Sequence, residues 1–342
     1  MNWRIRRVLQ AVATTYIVLT ISFFLIRLMP GDPMDYLLSD VAGITAGSEG
    51  ASDLSNQEIQ EAYALAELYL NINPSEPMHI AYYNYMIDAL QGDFGQSILY
   101  QEPVAELLGQ ALPWTIFVLS WGTFISFFIG ILLGSLMAYW EGSKLDVGLT
   151  TYSVVMGSTP YYVMALILLV FVGYRWGWFP TGGRRPEGVT TGFNWLFIKG
   201  VVYHATLPVL STIVLSGVAS LSMRGNSIRV LGEDYMRVAR LRGLSDAAIA
   251  AQYVARNAIL PMYTRFVISI GALFGGSVIL EVIFVYRGVG FYVVEAARAR
   301  DYPLMMGGFM LITIAVVIAL LIADLTYPAI DPRAGGEGRD AY

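Results

Sequence analysis

"LLGQALPWTIFVLSWGTFISFFIGILLGSLMAYW", Leu107–Trp140, runs without an Asp, Glu, Lys or Arg. About 20 apolar residues suffice to cross roughly 30 Å of hydrocarbon, so this segment is long enough to span a bilayer. Lipid cannot satisfy backbone amides, which leaves helices and closed barrels as spanning structures; the run is far too long for a barrel strand. Five further stretches read the same way: Val8–Ile26, Val147–Tyr174, Gly200–Met223, Phe266–Tyr286 interrupted only by Glu281, and Tyr302–Ala323. A chain of 342 residues that is 56% hydrophobic and 14% charged is far from a soluble balance. The predicted fold class is all-α, a polytopic membrane protein with six transmembrane helices.

The first stretch has the basic start of a signal peptide, "RIRR". Its apolar run, however, exceeds the usual 7–15 residues, and "FFLIRLMPGDP" offers no small-residue cleavage site. It reads as a retained span. Arg4, Arg6 and Arg7 precede it, and seven arginines (Arg224, Arg229, Arg237, Arg240, Arg242, Arg256 and Arg265) lie between the fourth and fifth spans. Basic residues stay on the cytoplasmic side, so N- and C-termini are expected in the cytoplasm of a multi-pass cell-membrane protein. Arg175, Arg184, Arg185 and Lys199, and likewise Arg287, Arg298 and Arg300, fall in external loops and run against that rule.

This order divides the chain into residues 1–28 (cytoplasmic start and first span), 29–111 (an extracytoplasmic helical region), 112–330 (the main transmembrane domain, with a cytoplasmic loop at 224–262) and 331–342 (a cytoplasmic tail). Between Met29 and Glu106 there are thirteen carboxylates and no Lys or Arg, which suits either a solvated surface or a basic partner. Within that region, "DLSNQEIQEAYALAELYL" (Asp53–Leu70) has helical spacing with Ser55 and Glu58 as a capping box. "PMHIAYYNYMIDAL" (Pro77–Leu90) predicts a second helix, broken by the glycines of "QGDFGQS".

No G-x-x-x-x-G-K-[S/T] occurs, so no P-loop is present. With two distant histidines, His79 and His204, and no cysteine, neither a metal nor a redox centre is expected. Nothing points to an enzyme. Two acids lie in or beside apolar runs, Glu281 and Asp324; an intramembrane carboxylate is a candidate for a gate or translocation path, and near a span end it serves structure equally well.

A long charged stretch stands out among the apolar runs: "EDYMRVARLRGLSDAAIAAQYVARNAILP", Glu233–Pro261, with four arginines. Glu233 and Arg237 are four apart in the favourable order, and Tyr235, Val238 and Leu241 make a mixed helical face. Gly243 supplies a helix stop, and Ser245 caps a second helix whose apolar side passes through Ile249, Tyr253 and Val254. Three readings fit: arginines on lipid phosphates, a DNA-binding helix-turn-helix, and a docking element for a partner protein. The second fails on space, because the bilayer holds the supposed recognition helix against headgroups; no nucleic acid is expected.

The same segment, as "DYMRVARLRGLS…ARNAILP", resembles the cytoplasmic loop of the oligopeptide/dipeptide class of ABC transporter permeases. "RLMPGDP" (Arg27–Pro33), "GDFGQS" (Gly92–Ser97), "STPYYVMALILLVF" (Ser158–Phe171), "GGSVILEVIFVYRGVG" (Gly275–Gly290), "RDYPLMMG" (Arg300–Gly307) and "DLTYPAIDPR" (Asp324–Arg333) resemble family segments in the same order. Where the wider importer loop begins Glu-Ala-Ala, this chain has Arg237, Val238 and Ala239, and after Phe284 it has Tyr286, Arg287 and Gly288 in place of a Trp-Pro-Gly.

The resemblance implies a type I importer permease that works with a second, similar permease, two ATPase subunits and an extracytoplasmic solute-binding protein. ATP and Mg would be bound by the ATPase, and this chain would carry no cofactor. It assigns ATPase docking to Arg237, Ala239, Arg240, Arg242, Gly243, Leu244, Ser245 and Asp246, with Ala239 and Gly243 allowing close approach. The binding protein would meet the acidic region and the 286–303 loop. Peptide is the expected cargo; relatives also carry oligosaccharide or nickel, and an ion-coupled secondary transporter is the alternative from another class.

Overall fold

The computed structural model describes residues 3–28, 77–249, 253–254, 257–259, 261–263, 266 and 278–330. The expected helix at 53–70 and the tail after 330 lie outside these residues. Among the described residues every regular element is helical. Two compact units alternate along the chain: Val8–Thr115 with Arg287–Val317, and Met1–Arg7 with Ile116–Tyr286 and Ile318–Tyr342.

The first unit contains α1 (Trp3–Arg27, from Val8 on), α2 (Met78–Gln91), the start of α3 (Val104–Tyr139), α11 (Val289–Ala299) and the first part of α12 (Tyr302–Ile330). Helix α2 begins after Pro77 and stops at Gly92, whose φ of 77° needs a residue without a Cβ. Its apolar stripe, Ala81, Tyr85 and Ala89, faces inward; Tyr85 stacks on Phe23 of α1 at 5.3 Å. Since α2 lies outside the predicted spans, this burial withdraws apolar area from water, at roughly 25 cal/mol per Å².

The loop after α2 is tied to the α11–α12 junction by one acid. Asp301 is fully buried; it accepts from the Ser97 hydroxyl and, at 3.0 Å each, from the Leu99 and Leu304 amides. Burial pushes its carboxyl above the ordinary value, and those hydrogen bonds oppose the shift. The expected 286–303 loop is therefore not a loop. It is mostly α11, which turns Val289, Tyr292, Val293 and Ala296 into the core of this unit and leaves Arg287, Ala297 and Arg298 exposed.

The second unit contains the rest of α3, then α4 (Lys144–Ser158), α5 (Tyr161–Leu168) continuing as a π-helix (Leu169–Arg175), α6 (Trp195–Ser211), a 3₁₀ turn (Thr212–Val214), α7 (Leu215–Leu231), α8 (Asp234–Leu241), α9 (Asp246–Ile249) and α10 (Val278–Ile283). Lipid supplies no hydrophobic drive between spans, so small residues and hydroxyls join them. Helix α7 is held this way on two sides. Gly217 lies against the backbone of Ser153 and Gly157 in α4, beside a 2.7 Å hydrogen bond between Ser220 and Ser153. On the other side, Gly130 and Gly134 of α3 face Ala219 and Met223.

Among the described residues four helices are long and apolar enough to cross a membrane, five if one bent pair is a single span. That pair corrects the sequence expectation of a continuous third span at 147–174. Helix α4 and the α5–π-helix segment meet at 96°. The cause is Pro160, which disfavours helical backbone at the residue before it; Thr159 is extended, with φ −88° and ψ 121°. Of the predicted fifth span, residues 267–277 lie outside the described set. The stretch Trp195–Leu231, 37 residues long, measures about 55 Å at 1.5 Å per residue, well beyond a bilayer core of about 30 Å, so its end projects from the membrane.

Gly217→Leu is expected to prevent the α4–α7 crossing, because a Cβ there already lies 2.5 Å from the Gly157 amide and backbone cannot give way; overpacking costs about 1–3 kcal/mol or more. Gly225→Ala, in the same helix with nothing within 4 Å, should be neutral or stabilising. Thermal unfolding of the two variants in detergent checks this; equal midpoints would remove the close-packing argument.

Candidate functional site

The exposed basic element forms as two short helices. Helix α8 starts after Glu233, whose backbone is extended with φ −74° and ψ 146°. That places Glu233 outside the helix, and the Glu233–Arg237 pair allowed by the spacing is not formed. At the other end, the Gly243 amide donates to the Arg240 carbonyl at 2.9 Å and the Leu244 amide to the Ala239 carbonyl at 3.4 Å. This pair of bonds, with Gly243 at φ 72°, is a Schellman stop. Ser245 then caps α9 by accepting from the Ala248 amide at 3.3 Å.

The two faces of this element differ sharply. Met236 and Ala239, 0% and 2% exposed, are buried with Met223 of α7, Ile249 of α9 and Val254, and Phe127 and Ile131 of α3 pack against them. Outward lie Arg237, Val238, Arg240, Leu241, Arg242 and Gly243, with Leu241 81% exposed. Ser245 is exposed and Leu244 half-buried; Asp246 begins α9. Ala239 is thus covered within this chain. It shares a buried cluster with Met223 of α7, while Gly243, the other small residue, is exposed.

Earlier in α7 lies a contact that sequence reading missed. Arg224 of α7 makes a bidentate ion pair with Asp146 of α4, both bonds 2.8 Å. Asp146 also accepts from the Gly142 amide at 3.0 Å and from Thr150 at 3.3 Å, and Ser143 caps α4 by accepting from the Asp146 amide. The two-point geometry gives direction as well as attraction. It anchors α4 to α7 one and a half to two turns before Leu231, where α7 gives way to α8.

The two acids proposed for a path are placed differently. Glu281 in α10 is 2% exposed, inside the protein rather than facing water. Next to it Val285, a β-branched residue, adopts φ 46°, a strained backbone. It is held there by the Tyr286 amide donating to the Glu281 carbonyl at 2.7 Å and by the Gly183 amide donating to the Phe284 carbonyl at 3.2 Å. Asp324 lies within α12, and its side chain is outside the described residues. Glu281 is not among the residues clustered with the α8–α9 element. Among the described residues no group of three or more His, Cys, Asp or Glu could hold a metal.

The family model described as "binding-protein-dependent transport system inner membrane component" matches residues 130–336, more than half of the chain. Over 96% of its length and 98% of the relative's, the chain is 33% identical to the oligopeptide transport system permease protein AppB of Bacillus subtilis (strain 168). It is 32% identical, over 96% and 97%, to the probable peptide ABC transporter permease protein y4tP of Sinorhizobium fredii (strain NBRC 101917 / NGR234). With the di/tripeptide transport system permease protein DppB of Pseudomonas aeruginosa (strain UCBPP-PA14) it shares 30% identity over 96% and 97%.

Proposed function

Since this chain belongs to the binding-protein-dependent transport system inner membrane components, as a peptide-type ABC transporter permease, we propose that it forms half of the pore of an ATP-driven peptide importer. In this reading a second permease completes the pore, two ATPase subunits bind and hydrolyse ATP with Mg, and an extracytoplasmic binding protein delivers the peptide. Both termini face the cytoplasm. This chain contributes no catalytic residue.

The observation that carries the reading is the amphipathic α8–Gly243–α9 element. Its arginines face outward, and among the described residues Arg237, Arg240 and Arg242 have no ion-pair partner. Its apolar side is seated on α3 and α7. A surface of this kind transmits displacement: a partner that engages Arg237, Arg240, Arg242 and Gly243 moves a rigid body continuous with two spans, where a flexible tether would absorb the movement. Leu244, Ser245 and Asp246 set the angle of the second helix. Glu281 and Asp324 are assigned to the translocation path as polar points among apolar spans.

Uptake of a labelled di- or oligopeptide into vesicles containing the complete transporter is expected to collapse on ATP depletion and to withstand an ionophore. Uptake that instead follows an imposed ion gradient without ATP would replace the reading with an ion-coupled carrier.

A further inference from the structure

The connection between the broken third span and α6 carries several exposed aromatic residues close in sequence, and its basic residues are among those that contradict the expected charge asymmetry. Trp176 and Trp178 follow the π-helix directly, with ring centroids 4.8 Å apart, and both are exposed. At the far end Phe193 is fully exposed, and Trp195 and Leu196, 74% and 69% exposed, open α6. Helix α6 also reaches back to the first end. Tyr203 of α6 donates its hydroxyl to the Trp178 carbonyl at 2.6 Å, and its ring lies 5.3 Å from that of Phe179.

Exposed cations are set among these rings. Arg175 closes the π-helix, Arg185 lies in the connection, and Lys199 stands one helical turn after Trp195, on the same side of α6. Glu187 is the single acid between 175 and 199, against four basic residues. Large aromatic rings fully open to water are disfavoured, whereas indole rings settle at the boundary between hydrocarbon and headgroups. The connection runs from the apolar bent pair that ends at Arg175 to Trp195–Leu231, a helix long and apolar enough to cross a membrane, which places its aromatic residues near that boundary.

We propose that the 174–203 connection is a lipid-binding surface of the outer leaflet, with the aromatic residues inserted at the headgroup level and Arg175, Arg185 and Lys199 on lipid phosphates, so that anionic lipids are preferred. This accounts for basic residues on the external side: they lie in a short connection pinned to the membrane. The surface belongs to the bilayer rather than to a protein partner, because it is continuous with two spans and its charge complements phosphate.

The chain has no cysteine, so Phe193→Cys places a single environment-sensitive label on the patch. The full chain is reconstituted in phosphatidylcholine vesicles with and without phosphatidylglycerol, using lipids brominated near the headgroup as quenchers. The label should be quenched by lipid and shielded from aqueous iodide, with brominated phosphatidylglycerol quenching more than brominated phosphatidylcholine. Each surface cation is worth on the order of fivefold in association with anionic lipid, so adding Arg175→Gln, Arg185→Gln and Lys199→Gln should remove the preference. Arg175→Lys with Arg185→Lys should retain it. Free access of iodide to the label, an unchanged preference in the triple variant, or shielding that appears only when the extracytoplasmic binding protein is added would each overturn the proposal.

Discussion

Gly243→Trp is expected to leave the chain inserted and folded while peptide uptake by the assembled transporter falls at least about tenfold. The two halves of that outcome have separate causes. Nothing lies within 4 Å of the Cβ position at Gly243, so the side chain itself meets no obstacle inside the chain, and the cost is the positive φ, about 1–2 kcal/mol for a residue with a Cβ. The indole instead projects from the exposed side of the hinge, among Arg240, Arg242 and Ser245. A partner seated there is displaced, and the angle between α8 and α9 shifts. Gly243→Asn is the control, because asparagine tolerates the left-handed region; uptake should stay within about twofold of the parent. The comparison is made on transporter of matched membrane abundance, with ATP hydrolysis measured alongside uptake. Full uptake by the tryptophan variant would remove the docking role from this surface.

Asp146→Leu should cost about 3 kcal/mol or more of stability, since removing one partner of a buried pair strands the other charge. The Asp146 side chain is 5% exposed and that of Arg224 28%, so water relieves the stranded guanidinium in part and keeps the cost toward the lower end. The substitution also deprives the Gly142 amide and the Thr150 hydroxyl of their acceptor. Asp146→Leu combined with Arg224→Met should recover part of the loss, because an apolar pair leaves no stranded charge. Thermal unfolding of the four-member cycle measures the coupling. Purely additive effects would mean the pair contributes nothing beyond its separate side chains. An Asp146→Arg, Arg224→Asp exchange should not restore stability: Asp146 also lies in the first turn of α4, where a helix N-terminus favours negative charge.

Much of the candidate site was legible because it is local. A glycine between two amphipathic stretches, followed by a serine, predicts a stop and a restart, and the chain forms both at Gly243 and Ser245. The expected extracytoplasmic helix at Pro77–Leu90 forms for the same reason, with its inward residues four apart and Gly92 at its end. Which side of α8 faces outward was not legible. Both Ala239 and Gly243 are small, and only the presence of Met223, Phe127 and Ile131 behind α8 turns Ala239 inward. The break at Thr159–Pro160 was written in the sequence, yet an uncharged stretch of that length reads as one span; a proline in a span is tolerated or disruptive according to what neighbouring helices supply.

By itself the sequence determined that this chain enters a membrane and roughly where its long apolar segments run, because the bilayer imposes its demand on every segment separately: enough apolar length and satisfied amides. Tertiary structure alone decided how those spans hold one another. Asp146 and Arg224 are 78 residues apart, and Gly217 meets Ser153 and Gly157 from another helix. Contacts of that kind depend on the register and rotation of two helices at once, which no single segment encodes. The same is true of the outward face of α8 and of the 174–203 connection, where Tyr203 of α6 reaches back to Trp178.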